Sequence, residues 1–178
     1  MHLRQDRMTS QARMETLFQY QKPDHVPLGA MCAEFNTKNV GFTVSDVYDD
    51  PEKSFYAMQW TSEQSGWDPI PQYAGHTVLG AWDFGGEVRL PRSEYEGALV
   101  VTSYPIQTES DMERLKMPDP KRAGRIPKAM RFSELQMENH IPVFFFSRSP
   151  FAMAANITGI DLFLRWAMKK PELCEQLL

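Results

Sequence analysis

The chain has few cysteines, no long apolar run and no excess of basic side chains, and each absence excludes a class of protein. Its two cysteines, Cys32 and Cys174, lie far apart, which argues against a disulfide framework and makes a reducing cytoplasm the expected compartment. No run of about 18 apolar residues occurs, so no membrane-spanning helix is predicted. The formal net charge of -4 argues against nucleic-acid binding as the main function.

The composition that is present is that of an ordinary globular protein. Hydrophobic residues make up 42% of the 178 residues, which is enough for one domain with a sizeable core. Residues 1–8 lack the apolar segment of a secretory signal, and we interpret them as a loose leader. Residues 9–178 are predicted to form the folded domain, without internal repeats.

The most informative stretch lies between residues 141 and 164. An apolar run from Ile141 to Phe146 ends at the polar sequence Ser147-Arg148-Ser149-Pro150, and a small-residue helical pattern follows. This order predicts a buried parallel strand, a tight loop at its carboxyl end and a helix. Because α/β folds bind ligands at the carboxyl ends of their strands, Arg148 lies where such folds keep their chemistry.

Capping residues and apolar spacing predict the other elements. Helices are expected after Thr9 or Ser10, after Ser45-Asp46, from Asp50-Pro51-Glu52 to Gly66, over residues 108–118, over residues 126–139 and from Pro171 onward. A short buried strand is expected from Val26 to Met31, followed by a polar loop from Glu34 to Asn39. A second strand region is expected after Asp68, and alternating residues predict a β excursion from Ala98 to Tyr104.

The alternation of helices and strands predicts βα units and a parallel sheet. Only about three core strands are expected, whereas a closed eight-stranded barrel takes about 250 residues. The sequence also stops within a helical pattern at Leu178. We therefore expect these residues to form the front part of a larger domain.

A series of short motifs supports this interpretation. The series comprises Arg13 with Leu17, Pro23-Asp24-His25-Val26-Pro27, Gly66-Trp67-Asp68, Gly85-Gly86-Glu87-Val88, Glu109-Ser110-Asp111-Met112-Glu113-Arg114-Leu115, Pro118-Asp119-Pro120, Ser149-Pro150-Phe151 and Lys170-Pro171-Glu172. In order and spacing it resembles the uroporphyrinogen decarboxylase superfamily, which includes the haem-pathway decarboxylase and corrinoid-dependent methyltransferases. The resemblance extends over nearly the whole chain from Met8.

The resemblance implies an α/β fold of the (β/α)8 TIM-barrel type, of which this chain would form only the N-terminal portion. That portion would contain about three core strands, helices and a β excursion. Many of the methyltransferases hold zinc through a His-x-Cys pair and a distant Cys, and the metal presents an acceptor thiolate. No His-x-Cys pair occurs in these residues. The resemblance places the zinc ligands in the C-terminal half, so no metal ligand is predicted in this chain.

Four functional positions of the decarboxylases carry different chemistry in this chain. The two arginines that hold substrate carboxylates align with Cys32 and Asn36, neither of which is cationic. The essential aspartate aligns with His76, and a tyrosine after the helix start at the Ser149-Pro150-Phe151 motif aligns with Asn156. An octa-acid substrate needs cations to offset its desolvated carboxylates, so uroporphyrinogen decarboxylation is disfavoured.

Three functions therefore stand as hypotheses. The first is methyl transfer between a corrinoid, bound as methylcobalamin or on a corrinoid protein, and a thiol or another small acceptor. The second is uroporphyrinogen decarboxylation in haem biosynthesis, which the altered positions disfavour. The third is a non-catalytic half-barrel that binds a partner, either a second copy or a C-terminal half that completes the barrel, because an open sheet edge is a hazard unless covered. An enzyme is favoured, with neither nucleic acid nor membrane as partner.

Six residues are candidates for the site. His76 is the predicted catalytic residue, because imidazole titrates near neutrality and can act as acid or base; the alternative is a structural loop histidine. Glu34, Asn36, Tyr73, Arg148 and Asn156 are predicted substrate-binding residues. Each has a structural alternative: loop capping for the first two, core packing for Tyr73 and a salt bridge for Arg148.

Overall fold

The computed structural model describes residues 7–68, 73, 80–93, 96–143 and 148–178. Within these ranges the chain forms nine helices and one two-stranded sheet. The elements are α1 (Ser10–Phe18), α2 (Ala33–Val40), α3 (Val44–Asp49), α4 (Pro51–Ser65), β1 (Glu87–Arg89), β2 (Val100–Ser103), α5 (Glu109–Met112), α6 (Ile126–Glu138), α7 (Pro150–Thr158), α8 (Ile160–Lys169) and α9 (Pro171–Leu177).

Several helices begin at the residues that the sequence predicts. The Thr9 hydroxyl accepts a hydrogen bond from the Ala12 N–H at 3.2 Å, which caps α1. Asp50 caps α4 by accepting from the Lys53 N–H at 3.0 Å, and Pro51 occupies the first turn. Helix α4 ends at Gly66, whose φ of 66° lies in the left-handed region that favours glycine. These caps join residues that are close in sequence, so local sequence patterns are sufficient to predict them.

The predicted buried strand from Val26 to Met31 is wrong: the segment forms no strand, and Val26 and Leu28 are 84% and 61% exposed. Pro27 has no N–H to give to a ladder. Instead, the segment is held at Leu28, whose N–H donates to Asp68 Oδ2 at 3.0 Å and whose carbonyl accepts from the Asp68 N–H at 2.7 Å. One anchored residue replaces a continuous ladder.

The predicted polar loop from Glu34 to Asn39 is also wrong, because these residues lie in α2. Gly41, with a φ of 74°, ends the helix in the left-handed conformation. The next helix, α3, is capped by Thr43 rather than by Ser45-Asp46: Thr43 accepts from the Asp46 N–H, and Asp46 accepts from the Thr43 N–H. Asp46 is thus the third helical residue and not the cap.

The predicted β excursion is confirmed as β2, which pairs antiparallel with β1. Val88 faces Val101, and the register is irregular between Glu87 and Val88. The helix expected over residues 108–118 is shorter, since α5 ends at Met112. The Asp111 carboxylate takes part in the capping box of α5. Hydrogen bonds to this carboxylate, of which that from the Thr108 side chain has the largest effect, lower the pKa of Asp111 to about 2.

The parallel core strands are the part of the prediction that the described residues test least. Residues 141–143 of the expected third strand are not in a strand, and residues 144–147 lie outside the described part. Most of the expected second strand region also lies outside it. The sheet of the described residues is therefore only the antiparallel pair β1-β2.

The helices pack in two groups. Helix α4 contacts α2, α3 and α6, and α7 contacts α8 and α9. The second group has an apolar centre in which Phe151 and Phe163 meet edge to face, with ring centroids 4.9 Å apart. Apolar residues buried in this centre are Ile106, Ala154, Ile157, Phe163, Trp166 and Cys174.

Candidate functional site

A tight turn over residues 80–85 joins the two groups of helices. Gly80, with a φ of 97°, lies against α7: a Cβ there would come 2.6 Å from Met153 Sδ and 3.4 Å from the Asn156 Cβ. At the other end of the turn, Asp83 is buried and accepts a hydrogen bond from the Arg125 N–H at 2.8 Å. The turn therefore fixes α7 relative to the first residues of α6.

Asp83 also explains how α6 begins. Arg125, the residue before the helix, makes no side-chain cap of its own, and Pro127 lies in the first turn. The Asp83 carboxylate supplies the acceptor from a distant part of the chain, and its negative charge interacts favourably with the partial positive charge at the start of the helix. Gly124, with a φ of 47°, permits this approach, because a Cβ there would lie 2.6 Å from Asp83 Oδ1.

Arg125 is buried at this junction, with only 8% of its surface exposed. Its Nε has no hydrogen-bond partner, and its side chain forms no ion pair with a described residue. Burial lowers the pKa of Arg125; nearby Asp83 and Tyr73 raise it, and Arg148 lowers it further. Two cationic side chains thus lie near one carboxylate and one phenol.

Tyr73 connects this junction to α3. Its hydroxyl donates to the Tyr48 carbonyl at 2.7 Å, and its ring lies 5.6 Å from that of Phe132. Burial raises the pKa of Tyr73, so the phenol stays neutral at physiological pH. The predicted substrate-binding role of Tyr73 is untested, but the ring packs in an apolar cluster with Phe55, Phe132 and Ile141.

Glu34 lies beyond Tyr48, at the start of α2. The side chain is exposed, and its Oε1 is so close to Gly97 that a Cβ there would lie 2.6 Å away. Tyr48 donates from its hydroxyl to the Gly97 carbonyl at 3.0 Å. Burial raises the pKa of Tyr48, and the Glu34 carboxylate raises it further. Glu34, Tyr48 and Tyr73 thus form a connected series that leads to Arg125.

Asn36 lies two residues further along α2 and is 4% exposed. Its Oδ1 is buried without a hydrogen-bond donor. Asn36 and Thr37 are the buried residues of α2, the helix that packs on α3 and α4. On α4, the hydroxyls of Ser54 and Thr61 are likewise buried without partners. These four residues give the α2 and α4 region a polar interior.

Asn156 and Arg148 belong to the loop and helix predicted to carry the chemistry. Asn156 is half-buried in α7, and its Nδ2 donates to the Ala152 carbonyl at 3.0 Å. Arg148 is half-buried directly before Ser149, whose hydroxyl caps α7 by accepting from the Ala152 N–H at 3.2 Å. His76, the predicted catalytic residue, lies outside the described residues.

The structure brings some of the predicted residues together and leaves others apart. Tyr73 and Arg148 both lie near Arg125, and Glu34 is linked to Tyr73 through Tyr48. Asn156 is connected to the same junction only through the 80–85 turn. Sequence reasoning missed Arg125 and Asp83. A signal was present, because Arg125 precedes a proline-containing helix start without a capping side chain.

A second buried charge cluster lies in another part of the fold. The Arg13 guanidinium, 1% exposed, donates from Nε to Asp24 Oδ1 at 2.7 Å and also pairs with buried Asp68. It further donates to the Met8 carbonyl at 2.9 Å. Asp68, from the motif Gly66-Trp67-Asp68, is thus an ion-pair partner of a residue 55 positions away. All three charged residues belong to the motifs of the family resemblance, so these motifs mark a structural clamp.

Other features of the described residues do not add to the site. No group of three His, Cys, Asp or Glu side chains is close enough to hold a metal in this part of the chain. Two surface grooves, of about 460 and 630 Å³, contain none of the predicted site residues. The first lies between α1 and the ends of α4 and α6, and the second between α5 and α9. None of the described helices has the length and apolar character to cross a bilayer.

Comparisons with known proteins complete this description. The model of the family described as uroporphyrinogen decarboxylase (URO-D) matches residues 9–178. Among solved structures, the chain is similar to a methyltransferase from Methanosarcina mazei, with a TM-score of 0.73 and 20% sequence identity. The alignment covers 95% of this chain and 51% of that protein, so the chain spans about half its length. At this identity the likeness shows the fold. None of the curated proteins matches the chain.

Proposed function

The chain belongs to the uroporphyrinogen decarboxylase family, and we propose that it takes part in methyl transfer between a corrinoid and a thiol or another acceptor. The family fold is a (β/α)8 barrel. In our proposal these residues form the N-terminal portion of such a barrel, completed by further sequence or by another subunit. The corrinoid would be delivered as methylcobalamin or on a corrinoid protein.

The observation that carries this proposal is the chemistry of the segment from Cys32 to Asn36. The two positions that hold substrate carboxylates in the decarboxylases carry Cys32 at the N-cap of α2 and buried Asn36. Between them, Glu34 presents an exposed carboxylate beside Gly97. An octa-acid would meet repulsion here instead of two cations, so the segment suits a less acidic substrate.

The fold adds support of a coarser kind. The similarity to the Methanosarcina mazei methyltransferase extends over 95% of this chain, and the residues that set the decarboxylase apart are absent from it. Fold alone does not fix chemistry. The choice of transfer over decarboxylation therefore depends on the Cys32–Asn36 segment and on the replacement of the essential aspartate by His76.

Within this proposal the residues have distinct roles. His76 would exchange a proton with the acceptor, as expected for an imidazole that titrates near neutrality. Glu34 and Asn36 would contact polar groups of the substrate, and Tyr73, Arg148 and Asn156 would line the same substrate-binding site.

Zinc does not fit the described residues, because no group of three ligating side chains occurs among them. In our proposal the zinc ligands come from outside the described part of the chain, and no step of the reaction is assigned to the metal here. If bound, zinc would lower the pKa of an acceptor thiol.

The proposal is tested with the full-length gene product. We expect loss of methylcobalamin absorbance that depends on an added thiol or folate acceptor, and stoichiometric zinc in the purified protein. A His76→Ala variant should retain the zinc and lose most of the turnover, whereas Lys121→Ala, on the exposed loop before α6, should behave as the wild type. Absence of both metal and turnover would contradict the zinc-assisted mechanism.

A further inference from the structure

Within the described part of the chain, the buried guanidinium of Arg125 lacks the partners that such a group ordinarily has. Only 8% of the residue is exposed, Nε has no acceptor, and the side chain makes neither a hydrogen bond nor an ion pair with any described residue. By contrast, the guanidinium of Arg13, which is buried even more completely, pairs with Asp24 and Asp68. Removing an arginine from water without compensation is costly, so buried arginines are generally paired.

The neighbouring described groups supply only part of the compensation, because none of them accepts from Arg125 Nε. The Asp83 carboxylate lies near enough to raise the pKa of Arg125, but its Oδ1 accepts from the backbone N–H at the start of α6. The Tyr73 hydroxyl is neutral and donates to the Tyr48 carbonyl. Arg148 adds a second positive charge in the vicinity, which lowers the pKa of Arg125. Among the described residues, no side chain accepts from Arg125 Nε, so this donor of the buried guanidinium is left open.

The backbone around this cluster is fixed. Gly124 approaches Asp83 so closely that a Cβ would lie 2.6 Å from Oδ1. Arg125 and Arg148 immediately precede α6 and the Ser149 cap of α7, respectively, and the first turns of helices carry partial positive charge. The close packing of Gly124 on Asp83 positions a guanidinium whose Nε has no acceptor among the described residues, which is the arrangement expected of a preorganised binding site.

We propose that Arg125, with Arg148 nearby, binds an oxyanion group of a ligand, either a carboxylate or a phosphate. Both groups offer two oxygens in the plane that a guanidinium recognises, and they would supply the acceptors that the protein does not. The site was not among the positions predicted from the sequence, since Arg125 was not a candidate. It stands on the described contacts and does not depend on methyl transfer.

The test is a calorimetric titration of the full-length protein with inorganic phosphate and, separately, with acetate, at an ionic strength held constant with sodium chloride. We expect saturable binding of one of the two, and the anion that binds identifies the class of ligand group. Arg125→Met should weaken this binding about tenfold or more, and Arg125→Lys, which keeps the charge without the planar fork, should fall between. Arg122→Met is the matched control, because Arg122 is exposed in the same segment.

Unfolding in urea without phosphate or acetate separates this site from a structural role. If the guanidinium has no partner, Arg125→Met should unfold at the same urea concentration as the wild type or at a higher one. A variant that unfolds at lower urea would show a structural partner and overturn the proposal. The proposal is equally overturned if neither anion binds, or if Arg125→Met binds the anion as tightly as the wild type.

Discussion

At the scale of single residues, Arg13 ties three separate parts of the chain together. Its guanidinium bridges Asp24, in the segment after α1, and Asp68, in the exit from α4. Asp24 in turn accepts from the N–H groups of Arg7 and Met8 at 2.9 and 3.1 Å. Each carboxylate also accepts a hydrogen bond from its surrounding backbone, so the cluster satisfies its charges internally.

Replacing Arg13 by methionine should therefore be strongly destabilising. The change would leave two carboxylates without their cation, and removal of one partner from a buried ion pair costs about 3 kcal/mol. Urea unfolding measures this directly. Arg114→Met is the matched control: Arg114 pairs with Asp111 at 2.6 Å but is largely exposed, so little change is expected. Equal effects of the two substitutions would contradict the clamp.

The pH dependence of unfolding, compared between the wild type and Arg13→Met, gives a second measure of the clamp. The hydrogen bond from Arg13 holds the pKa of Asp24 well below its usual range. A carboxyl whose pKa is lowered on folding contributes stability above its unfolded value, about 4, and that contribution is lost as the pH falls further. The stability difference between wild type and Arg13→Met should thus be largest near neutrality and shrink below about pH 4.

A residue's role could be predicted from the sequence when its hydrogen-bond partner lies only a few positions away in the chain. The capping residues Thr9 and Asp50 bond to residues three positions away, and both were predicted. The pairs Arg13–Asp68 and Arg125–Asp83 join residues distant in sequence, and a local pattern such as the uncapped start of α6 does not identify the partner. The roles of Glu34, Asn36, Tyr73, Arg148, Asn156 and His76 stay predictions.

At the scale of elements, α6 depends on a residue outside itself. Its N-terminus has no capping side chain of its own, and Asp83 accepts from the Arg125 N–H at 2.8 Å. Further along, Arg131 on α6 donates to Glu52 on α4 at 2.7 Å, although this pair is exposed. The burial of Asp83 makes it the more important contact for positioning the helix.

We expect Asp83→Ala to destabilise the protein by about 1–2 kcal/mol, the usual cost of losing a helix cap. Asp83→Asn keeps an acceptor without the charge and should cost less. The measurement is urea unfolding followed by circular dichroism, with Glu175→Ala on the exposed side of α9 as the control. If Asp83→Ala is as stable as that control, the carboxylate does not hold the start of α6.

The errors at this scale have identifiable causes. Asn, Thr and Lys between Asn36 and Asn39 favour turns, yet packing on α4 makes the segment helical up to Gly41. The apolar segment Val26 to Met31 was predicted as a short buried strand, but it contains a proline and is anchored at Leu28, and Val26, Leu28 and Met31 are exposed. Tertiary packing overrode local preference in α2, whereas the proline opposed strand pairing in the Val26–Met31 segment.

At the scale of the whole molecule, the order of motifs was more informative than any element. It predicted the family, which the match over residues 9–178 confirms, and the fold similarity to the Methanosarcina mazei methyltransferase agrees with it. The exposed apolar side chains of Val26, Leu28 and Met31 show a surface that the described residues do not cover. In a barrel, such a first segment would be covered by further strands, as we propose for the complete protein.

The most direct test of the central claim compares the two family activities in one preparation of the full-length protein. Uroporphyrinogen and methylcobalamin with a thiol acceptor are supplied in parallel, and carbon dioxide release and methylcobalamin loss are recorded. We expect acceptor-dependent methylcobalamin loss and no decarboxylation, because Cys32 and Asn36 provide no cations for an octa-acid. Carbon dioxide release from uroporphyrinogen, with methylcobalamin left intact, would contradict the proposal.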